Sequence, residues 1–287
     1  MNQPSPEIID TTLQVSALVD WLQTHHNPSN PSSPIIYLDL EGVPLSRSGS
    51  ISILTIFLPS SARIFLIDMH TLGALAFTTP SSQGKTLKHV LEDSQITKVF
   101  FDVRNDSDAL YAHYGVALQC VEDVQLMESA AREKTALRRT VLGLARCVEN
   151  NCSATSTWQA TKSRGEKLFK PELGGSYEVF NQRPIPADIV AYCAGDVGCL
   201  VQLKEAFCQG KRQEWRDLVR DEAGRRVAES QRADYRPHGR EKALAPWKAE
   251  QNARLDELNG EDVYDERDDA TSWGDCVDDW DIGFYDN

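Results

Sequence analysis

Two acidic residues, Asp39 and Glu41, stand at the end of an apolar run that begins Ile-Ile-Tyr-Leu at residue 35. Alternate side chains of a β-strand point to the same face, so the two carboxylates share one face and Leu38 and Leu40 point to the other. Two carboxylates at the end of a buried strand repel each other unless a cation lies between them. The pair is therefore a candidate metal site, and two solvated residues at a strand end are the simpler interpretation of this pair taken alone.

A second group of acids follows the apolar run that ends at Phe101. Asp106 stands near the start of a predicted helix, where it either caps that helix or points back over the sheet edge toward Asp39. Asp102 and Asp108 compete with it for the second of these roles.

A tyrosine and an aspartate four residues apart, Tyr192 and Asp196, share one face of a predicted long helix. That face also carries Ile189, Cys199 and Leu203, so it is predicted to point inward. Burying an aspartate on an apolar face is costly without a cation or hydrogen-bond partners. The alternative to a functional site here is a buried Tyr–Asp hydrogen-bonded pair.

The elements that must position these residues follow from the apolar periodicity and from the turn residues. We predict strands over 35–41, 50–58, 63–68, 96–101 and 118–124, and helices over 14–24, 85–92, 106–114, 127–150, 186–209 and 212–231. Short connections between the strands at 35–68 favour an antiparallel meander, and the later alternation of helix and strand favours a parallel part. The pattern predicts one α/β domain with a mixed central sheet flanked by helices.

The order of the three motifs resembles the DEDD-type 3′–5′ exonucleases of the ribonuclease H-like fold, in their tyrosine variant, such as ribonuclease D and the Werner exonuclease domain. The resemblance covers roughly residues 8–210 and implies a ribonuclease H-like 3′–5′ exonuclease fold. It implies hydrolysis of phosphodiester bonds at the 3′ end of RNA or DNA by two divalent ions, Mg²⁺ or Mn²⁺, about 3.5–4 Å apart. The residues it assigns to the metals are Asp39, Glu41, Asp106 and Asp196, and it assigns Tyr192 to orienting or deprotonating the attacking water.

Two departures from the family pattern keep an alternative open. Phe101 stands where ribonuclease D-like members often have histidine, and Asp102 and Asp108 crowd around Asp106. The alternative is a catalytically impaired exonuclease-fold protein that acts as a nucleic-acid-binding or protein-interaction scaffold. A third interpretation, an α/β interaction protein with coincidental acids, predicts no metal binding.

Composition sets the broad class. The chain has 287 residues, of which 41% are apolar and 25% charged, which excludes a wholly disordered protein. No apolar run reaches the length of a membrane span, and the first residues lack the features of a secretory signal. Seven cysteines without a C-x-x-C spacing predict reduced thiols. We expect an intracellular protein, cytoplasmic or nuclear, that is not secreted.

Charge is distributed unevenly along the chain. The net charge is −13, and residues 250–287 hold 14 acids and 2 bases. Residues 132–170 hold 9 bases and 3 acids, so a basic surface for a polyanion is possible within an acidic protein. The candidate nucleic-acid-binding residues, which could equally be solvated charges, are Arg138, Arg139, Lys162, Arg164, Lys167 and Lys170.

These patterns divide the chain into four parts. We predict that residues 1–34 form an N-terminal strand or helix and a linker that belong to the domain, and that residues 35–210 form the 3′–5′ exonuclease domain that the resemblance implies. Residues 211–234 form a C-terminal helix, and residues 235–287 form an acidic tail that we expect to be disordered. The tail either competes with nucleic acid for the basic surface or serves only to keep the protein soluble.

Overall fold

A six-stranded mixed β-sheet forms the centre of the computed structural model, which describes residues 5–25, 35–152 and 155–260. The strands are β1 (Glu7–Ile9), β2 (Ile35–Glu41), β3 (Ile53–Leu58), β4 (Arg63–Asp68), β5 (Thr97–Phe100) and β6 (Val121–Asp123). Their order across the sheet is β1-β4-β3-β2-β5-β6. The strands β2, β3 and β4 pair as an antiparallel meander, whereas β2–β5, β5–β6 and β1–β4 are parallel. The predicted mixed sheet flanked by helices is confirmed.

Eleven α-helices occur within the described residues. They are α1 (Thr12–Thr24), α2 (Met69–Leu72), α3 (Leu75–Thr78), α4 (Leu87–Leu91), α5 (Arg104–Tyr114), α6 (Val124–Ala131), α7 (Leu144–Asn151), α8 (Thr155–Phe169), α9 (Ala187–Cys208), α10 (Gln213–Ser230) and α11 (Ala249–Gly260). The long helix α9 packs across β2 and β3, and α8 packs along α9. These three contacts bring the middle of the sheet, α8 and α9 together in one place.

The central strand β2 is buried on both faces. Leu38 and Leu40 are almost inaccessible to solvent on one face, and Asp39 and Glu41 lie on the other, as the alternation predicts. Asp39 lies opposite Thr55 in the antiparallel register with β3. The acidic pair is therefore set in the middle of the sheet, under α9.

Local sequence explains the ends of the helices that matter for the fold. Thr11 caps α1 through a capping box with Gln14, and the helix buries Val15, Leu18, Val19 and Leu22. Gly115 ends α5 in the left-handed conformation (φ 62°), which glycine adopts without steric cost. Pro186 precedes α9, as the sequence predicts for a helix start.

The region predicted as one helix over 127–150 is instead two helices, α6 and α7. A 3₁₀ turn at Thr135–Leu137 and an extended stretch up to Gly143 separate them. The reason lies in tertiary contacts, because Val141 N–H donates to the Ala243 carbonyl and Ala245 N–H donates to the Arg139 carbonyl. Backbone groups of this stretch thus pair with the C-terminal part of the chain, which competes with helix formation.

The C-terminal part also corrects an expectation. Residues 235–260 are not a disordered tail, because α11 packs onto the body with Leu255 and Leu258 fully buried. Trp247 is buried as well, and its Nε1–H donates to Ser129 Oγ at 2.9 Å. Three large apolar groups offset the polar composition of this stretch. The rest of the predicted tail, 261–287, and most of the predicted linker, 26–34, lie outside the described residues.

Candidate active site

Three of the sequence-predicted carboxylates converge. One oxygen from each of Asp39, Glu41 and Asp196 lies within 4.8 Å of the other two. The first two come from the end of β2, and the third comes from α9, which crosses above that strand. Residues more than 150 positions apart in the chain therefore form one acidic cluster, as required for a shared cation.

Asp106 is bonded to the strand end that carries two of these acids. It lies in the first turn of α5, which follows β5, the parallel neighbour of β2. Its Oδ1 accepts a hydrogen bond from the backbone N–H of Leu40 at 3.1 Å, between the two acids of β2. The predicted orientation of Asp106 toward β2 is thus the observed one, although its carboxylate is not among the three within 4.8 Å.

The structure separates Asp106 from its two competitors. Asp108 is fully buried and binds the Arg47 side chain, with Nε to Oδ1 at 2.6 Å. Asp102 takes a left-handed conformation (φ 58°) in the turn between β5 and α5 and forms an ion pair with Arg104. Although burial opposes ionisation, Arg104 holds the pKa of Asp102 below its usual value. Both competitors therefore have a cation of their own.

A buried carboxylate fixes the turn that aims Asp106. Asp123, at the end of β6, accepts hydrogen bonds from the N–H groups of Asp102 (2.9 Å) and Val103 (3.2 Å). Arg226 of α10 donates to the same carboxylate at 2.7 Å. These bonds stabilise the left-handed residue that would otherwise be strained in this position. They also hold the start of α5 against the sheet.

The clustered carboxyl groups resist ionisation. Burial, followed by the charge of Asp196, raises the pKa of Asp39 to about 7. Burial, followed by the charge of Asp39, raises the pKa values of Glu41 and Asp106. Groups with pKa values perturbed by burial and by like charges are typical of functional sites. A bound cation would offset both the burial and the repulsion that cause these shifts.

Tyr192 is held in place from several sides. Phe169 at the end of α8 packs edge-on against its ring, with centroids 5.3 Å apart. Gly165 of α8 lies so close that a Cβ atom built there would be 2.7 Å from the Tyr192 Cβ. Burial, followed by the charge of Asp196, raises the pKa of Tyr192. The phenol therefore stays protonated at neutral pH.

Lys162 of α8 reaches into the acidic cluster. Its Nζ donates to Asp196 Oδ2 at 2.8 Å and to Tyr192 Oη at 3.3 Å. Burial opposes the charged form, but Asp196 raises the pKa of Lys162, so the ammonium persists. Lys162, predicted to be one of a group of surface bases, therefore lies beside the predicted catalytic residues.

An ion pair remote from the acids fixes the chain that leads into α9. Arg183 donates to both oxygens of Asp68 at the end of β4, at 2.6 and 2.5 Å. It also donates to the Ser52 carbonyl at 3.1 Å, next to β3. This bidentate contact ties the segment before α9 to the sheet, which positions Tyr192 and Asp196 above β2. No sequence pattern indicated this pair.

The donor set suits a divalent metal. All three converging groups offer carboxylate oxygens, the ligands that Mg²⁺ and Mn²⁺ prefer. Asp39 Oδ2 is buried and has no hydrogen-bond partner, which leaves a costly buried acceptor unless a cation or water satisfies it. The residues present therefore fit the metal chemistry that the resemblance implies.

The predicted basic surface is only partly on the surface. Arg138 is buried, and its guanidinium binds Asp256 and Asn252 of α11. Its expected role in nucleic-acid binding is therefore wrong, because a buried guanidinium cannot reach a phosphate. Arg139, Arg164 and Lys167 are exposed, and Lys170 is partly buried and paired with Glu166 at 3.1 Å. Arg164 and Lys167 lie on α8, the helix that contributes Lys162.

No helix in the described part of the chain is long and apolar enough to cross a membrane.

The mixed sheet, with acids at the end of its central strand, agrees with the ribonuclease H-like exonuclease fold that the order of the motifs resembles. Residues 6–209 match the family model described as 3′-5′ exonuclease. The chain therefore belongs to the 3′-5′ exonuclease family, and this membership supports a nuclease function. Members of this family generally use divalent metals.

Solved structures and a curated protein are also similar to this chain. RNase D of Trypanosoma brucei in complex with GMP is 22% identical, with a TM-score of 0.65 over 89% of this chain and 72% of that chain. RNase D of Escherichia coli is 20% identical, with a TM-score of 0.54 over 81% of this chain and 52% of that one. At these identities the likeness shows the fold. The piRNA biogenesis protein EXD1 of Mus musculus is 32% identical over 94 residues, which are 33% of this chain and 15% of the mouse protein.

Sequence reasoning missed the contribution of α8. The stretch from 151 to 156 reads as a loop and nothing in it indicates that a helix begins at Thr155. A usable signal was the spacing of Trp158 and Lys162, which are four apart and share a helix face. In the structure Trp158 Nε1 donates to the Gly195 carbonyl at 3.3 Å, so this face of α8 rests on α9.

Proposed function

We propose that this chain is a metal-dependent 3′–5′ exonuclease that shortens single-stranded nucleic acid from its 3′ end. The observation that carries the proposal is the convergence of Asp39, Glu41 and Asp196 within 4.8 Å, with Asp106 bonded to the same strand end. These are the four carboxylates that the family resemblance assigns to metal binding. Their arrangement on β2, α5 and α9 supports that assignment.

The four carboxylates would hold two divalent ions, Mg²⁺ or Mn²⁺. When bound, such ions lower the pKa of a water molecule and neutralise charge on the attacking and leaving oxygens of a phosphodiester. Because Asp39 and Glu41 lie on one strand and Asp196 on a helix packed against it, the carboxylates are held in place before substrate binds. Such preorganisation is worth more than the same groups on flexible loops.

Tyr192 orients the attacking water in this mechanism. Its raised pKa makes the phenol a poor base at neutral pH, so it acts as a hydrogen-bond donor. Lys162 donates to the Tyr192 oxygen, which leaves the phenolic hydrogen available for a second partner. Packing against Phe169 keeps the ring from turning away.

The substrate strand would approach along α8. The exposed bases Arg164 and Lys167 lie on this helix, and phosphate neutralisation by such residues gives affinity that falls with salt. RNase D of Trypanosoma brucei has been solved in complex with RNA U12, at 20% identity and a TM-score of 0.65 over 90% of this chain and 80% of that chain. We therefore choose U12 RNA as the first substrate to test, with the matching DNA beside it.

The test is digestion of 5′-labelled U12 with Mg²⁺ or Mn²⁺, resolved on a sequencing gel. A ladder that shortens from the 3′ end with time supports the proposal, and loss of the ladder in Asp39→Asn ties it to the cluster. The matched control is Asp10→Asn, which alters an exposed acid before α1 and should digest normally. An intact strand with both metals, or full activity in Asp39→Asn, would contradict the proposal.

A second function is favoured by one observation. The Lys162 ammonium already neutralises Asp196, which lets the cluster persist without metal. A scaffold that binds nucleic acid without cutting it would retain U12 on a gel shift and leave its length unchanged. The same digestion experiment therefore separates the two functions.

A further inference from the structure

The Lys162 ammonium lies inside the acidic cluster, although α8 presents its other bases to solvent. Its Nζ is 2.8 Å from Asp196 Oδ2, and its side chain is only 14% exposed. We propose that Lys162 is a tethered counter-ion, which competes with divalent ions for Asp196 and so sets how tightly the site holds them. This inference rests on the proposed function, because it concerns the same site.

The position of Lys162 is fixed by packing. Its Nζ lies 4.6 Å from the centroid of the Tyr192 ring and 5.2 Å from that of Trp158. Trp158 is itself bonded to the backbone of α9 at Gly195. Cation–π contacts and the α8–α9 interface thus hold the ammonium against Asp196, unlike a solvated lysine that samples many rotamers.

Charge explains why the ammonium and a dication exclude one another. The cluster and Asp106 carry four carboxyl groups, and Lys162 is the cation bonded to one of them. A metal ion that binds Asp196 must either displace the ammonium or lie beside a like charge. A neighbouring charge at this range changes the affinity for a proton by 1–3 pKa units, or about 10- to 1000-fold, and a divalent ion meets at least the same penalty.

Lys162 does not satisfy the whole cluster. Asp39 Oδ2 lacks a hydrogen-bond partner, so one ammonium leaves buried negative groups without compensation. Lys162 therefore lowers the affinity of Asp196 for a metal ion, whereas Asp39 Oδ2 stays available to one. We expect full metal occupancy to require that the Lys162 side chain move away from Asp196.

The first test is calorimetric titration of the full chain with Mn²⁺. Lys162→Met and Lys162→Gln remove the charge and should bind Mn²⁺ at least about tenfold more tightly than the wild type, the lower end of the range above. Lys162→Arg keeps the charge and should stay near the wild type. Lys167→Met removes an exposed lysine from the same helix and should also leave the affinity unchanged.

The second test uses the wild-type chain, so it does not depend on a variant that folds. Acylation of lysines, followed residue by residue with mass spectrometry, should show Lys162 protected without metal. Saturating Mg²⁺ should raise its labelling several-fold, while Lys167 labels equally in both conditions. Unchanged protection of Lys162 would overturn the proposal.

The titration can overturn it as well. Equal or weaker Mn²⁺ binding by folded Lys162→Met and Lys162→Gln would mean that the ammonium does not oppose the metal. If the wild type digests U12 normally while the variants bind Mn²⁺ no more tightly, only the counter-ion role is contradicted and the proposed exonuclease activity stands. If these variants bind Mn²⁺ more tightly but no protein digests U12, the counter-ion role of Lys162 is supported and the proposed exonuclease activity is contradicted.

Discussion

The tight packing of Gly165 of α8 against the proposed catalytic tyrosine gives a sharp test of how the site is built. Gly165→Ala adds one carbon, which would lie 2.7 Å from the Tyr192 Cβ. Ordinary van der Waals contact begins at about 3.4 Å, so the two groups must separate by at least about 0.7 Å. Either α8 moves away from α9 or the Tyr192 side chain is displaced.

The expected size of the effect follows from two general magnitudes. Overpacking of this kind costs about 1–3 kcal/mol of stability. A displacement of about 1 Å at a catalytic group can cost up to roughly 100-fold in rate, so we expect a ten- to hundredfold loss of kcat. If α8 moves, Lys162 on the same helix is displaced as well.

Gly224→Ala is the matched control. Gly224 lies on the exposed side of α10, and a Cβ atom there would have no neighbour within 4 Å. Both substitutions gain about 1 kcal/mol of helix propensity, so the difference between the two variants isolates the clash. Urea denaturation should place Gly165→Ala about 1–3 kcal/mol below Gly224→Ala, and U12 digestion should be slowed only in the former. Equal stability and equal rates would refute the packing argument.

The remaining predictions concern charge. Because the pKa of Asp39 is raised to about 7, Mn²⁺ binding should release more protons at pH 6 than at pH 8, which calorimetry in buffers of different ionisation enthalpy would show. Without metal, this raised pKa should make the free energy of unfolding fall as the pH rises from about 4 to 7, since the folded chain binds more protons than the unfolded chain in this range. Arg183→Ala should cost about 3 kcal/mol at pH 7 by chemical denaturation, because it leaves the buried Asp68 carboxylate with hydrogen bonds from Thr71 but without its cation. The pKa of Asp68, although burial opposes it, is lowered by Arg183, so this contribution should vanish as the pH falls below about 4. Arg138→Ala should destabilise the chain through α11 with no change in the salt dependence of U12 binding. Removing residues 261–287, which hold 11 acids and 1 base, should strengthen U12 binding at low salt if they compete with nucleic acid, and an unchanged salt titration would favour the solubilising role.

The sequence by itself determined the strand and the helix that carry three of the acids, and the family pattern. Period-two alternation placed Asp39 and Glu41 on one face of β2, and four-residue spacing placed Tyr192 and Asp196 on one face of α9. These are local properties, since side-chain direction within a strand or helix depends only on backbone geometry. For the same reason, the end of α5 at Gly115 was predictable.

The family resemblance assigned Asp106 to the site, but only the tertiary structure distinguishes it from its two crowded neighbours. Asp102 and Asp108 have the same chemistry as Asp106, and only the positions of Arg104 and Arg47 show that each of them already has a cation. Pairing between residues distant in the chain leaves no local pattern.

The same holds for the basic residues and the C-terminal part. Arg138 and Lys162 read as equivalent surface bases, yet one is buried under α11 and the other lies against Asp196. Polar composition predicted disorder beyond residue 235, but Trp247 and two leucines of α11 bury enough apolar surface to dock it. Docking depends on the complementary surface of the body, which is assembled from several elements and exists only in the folded chain.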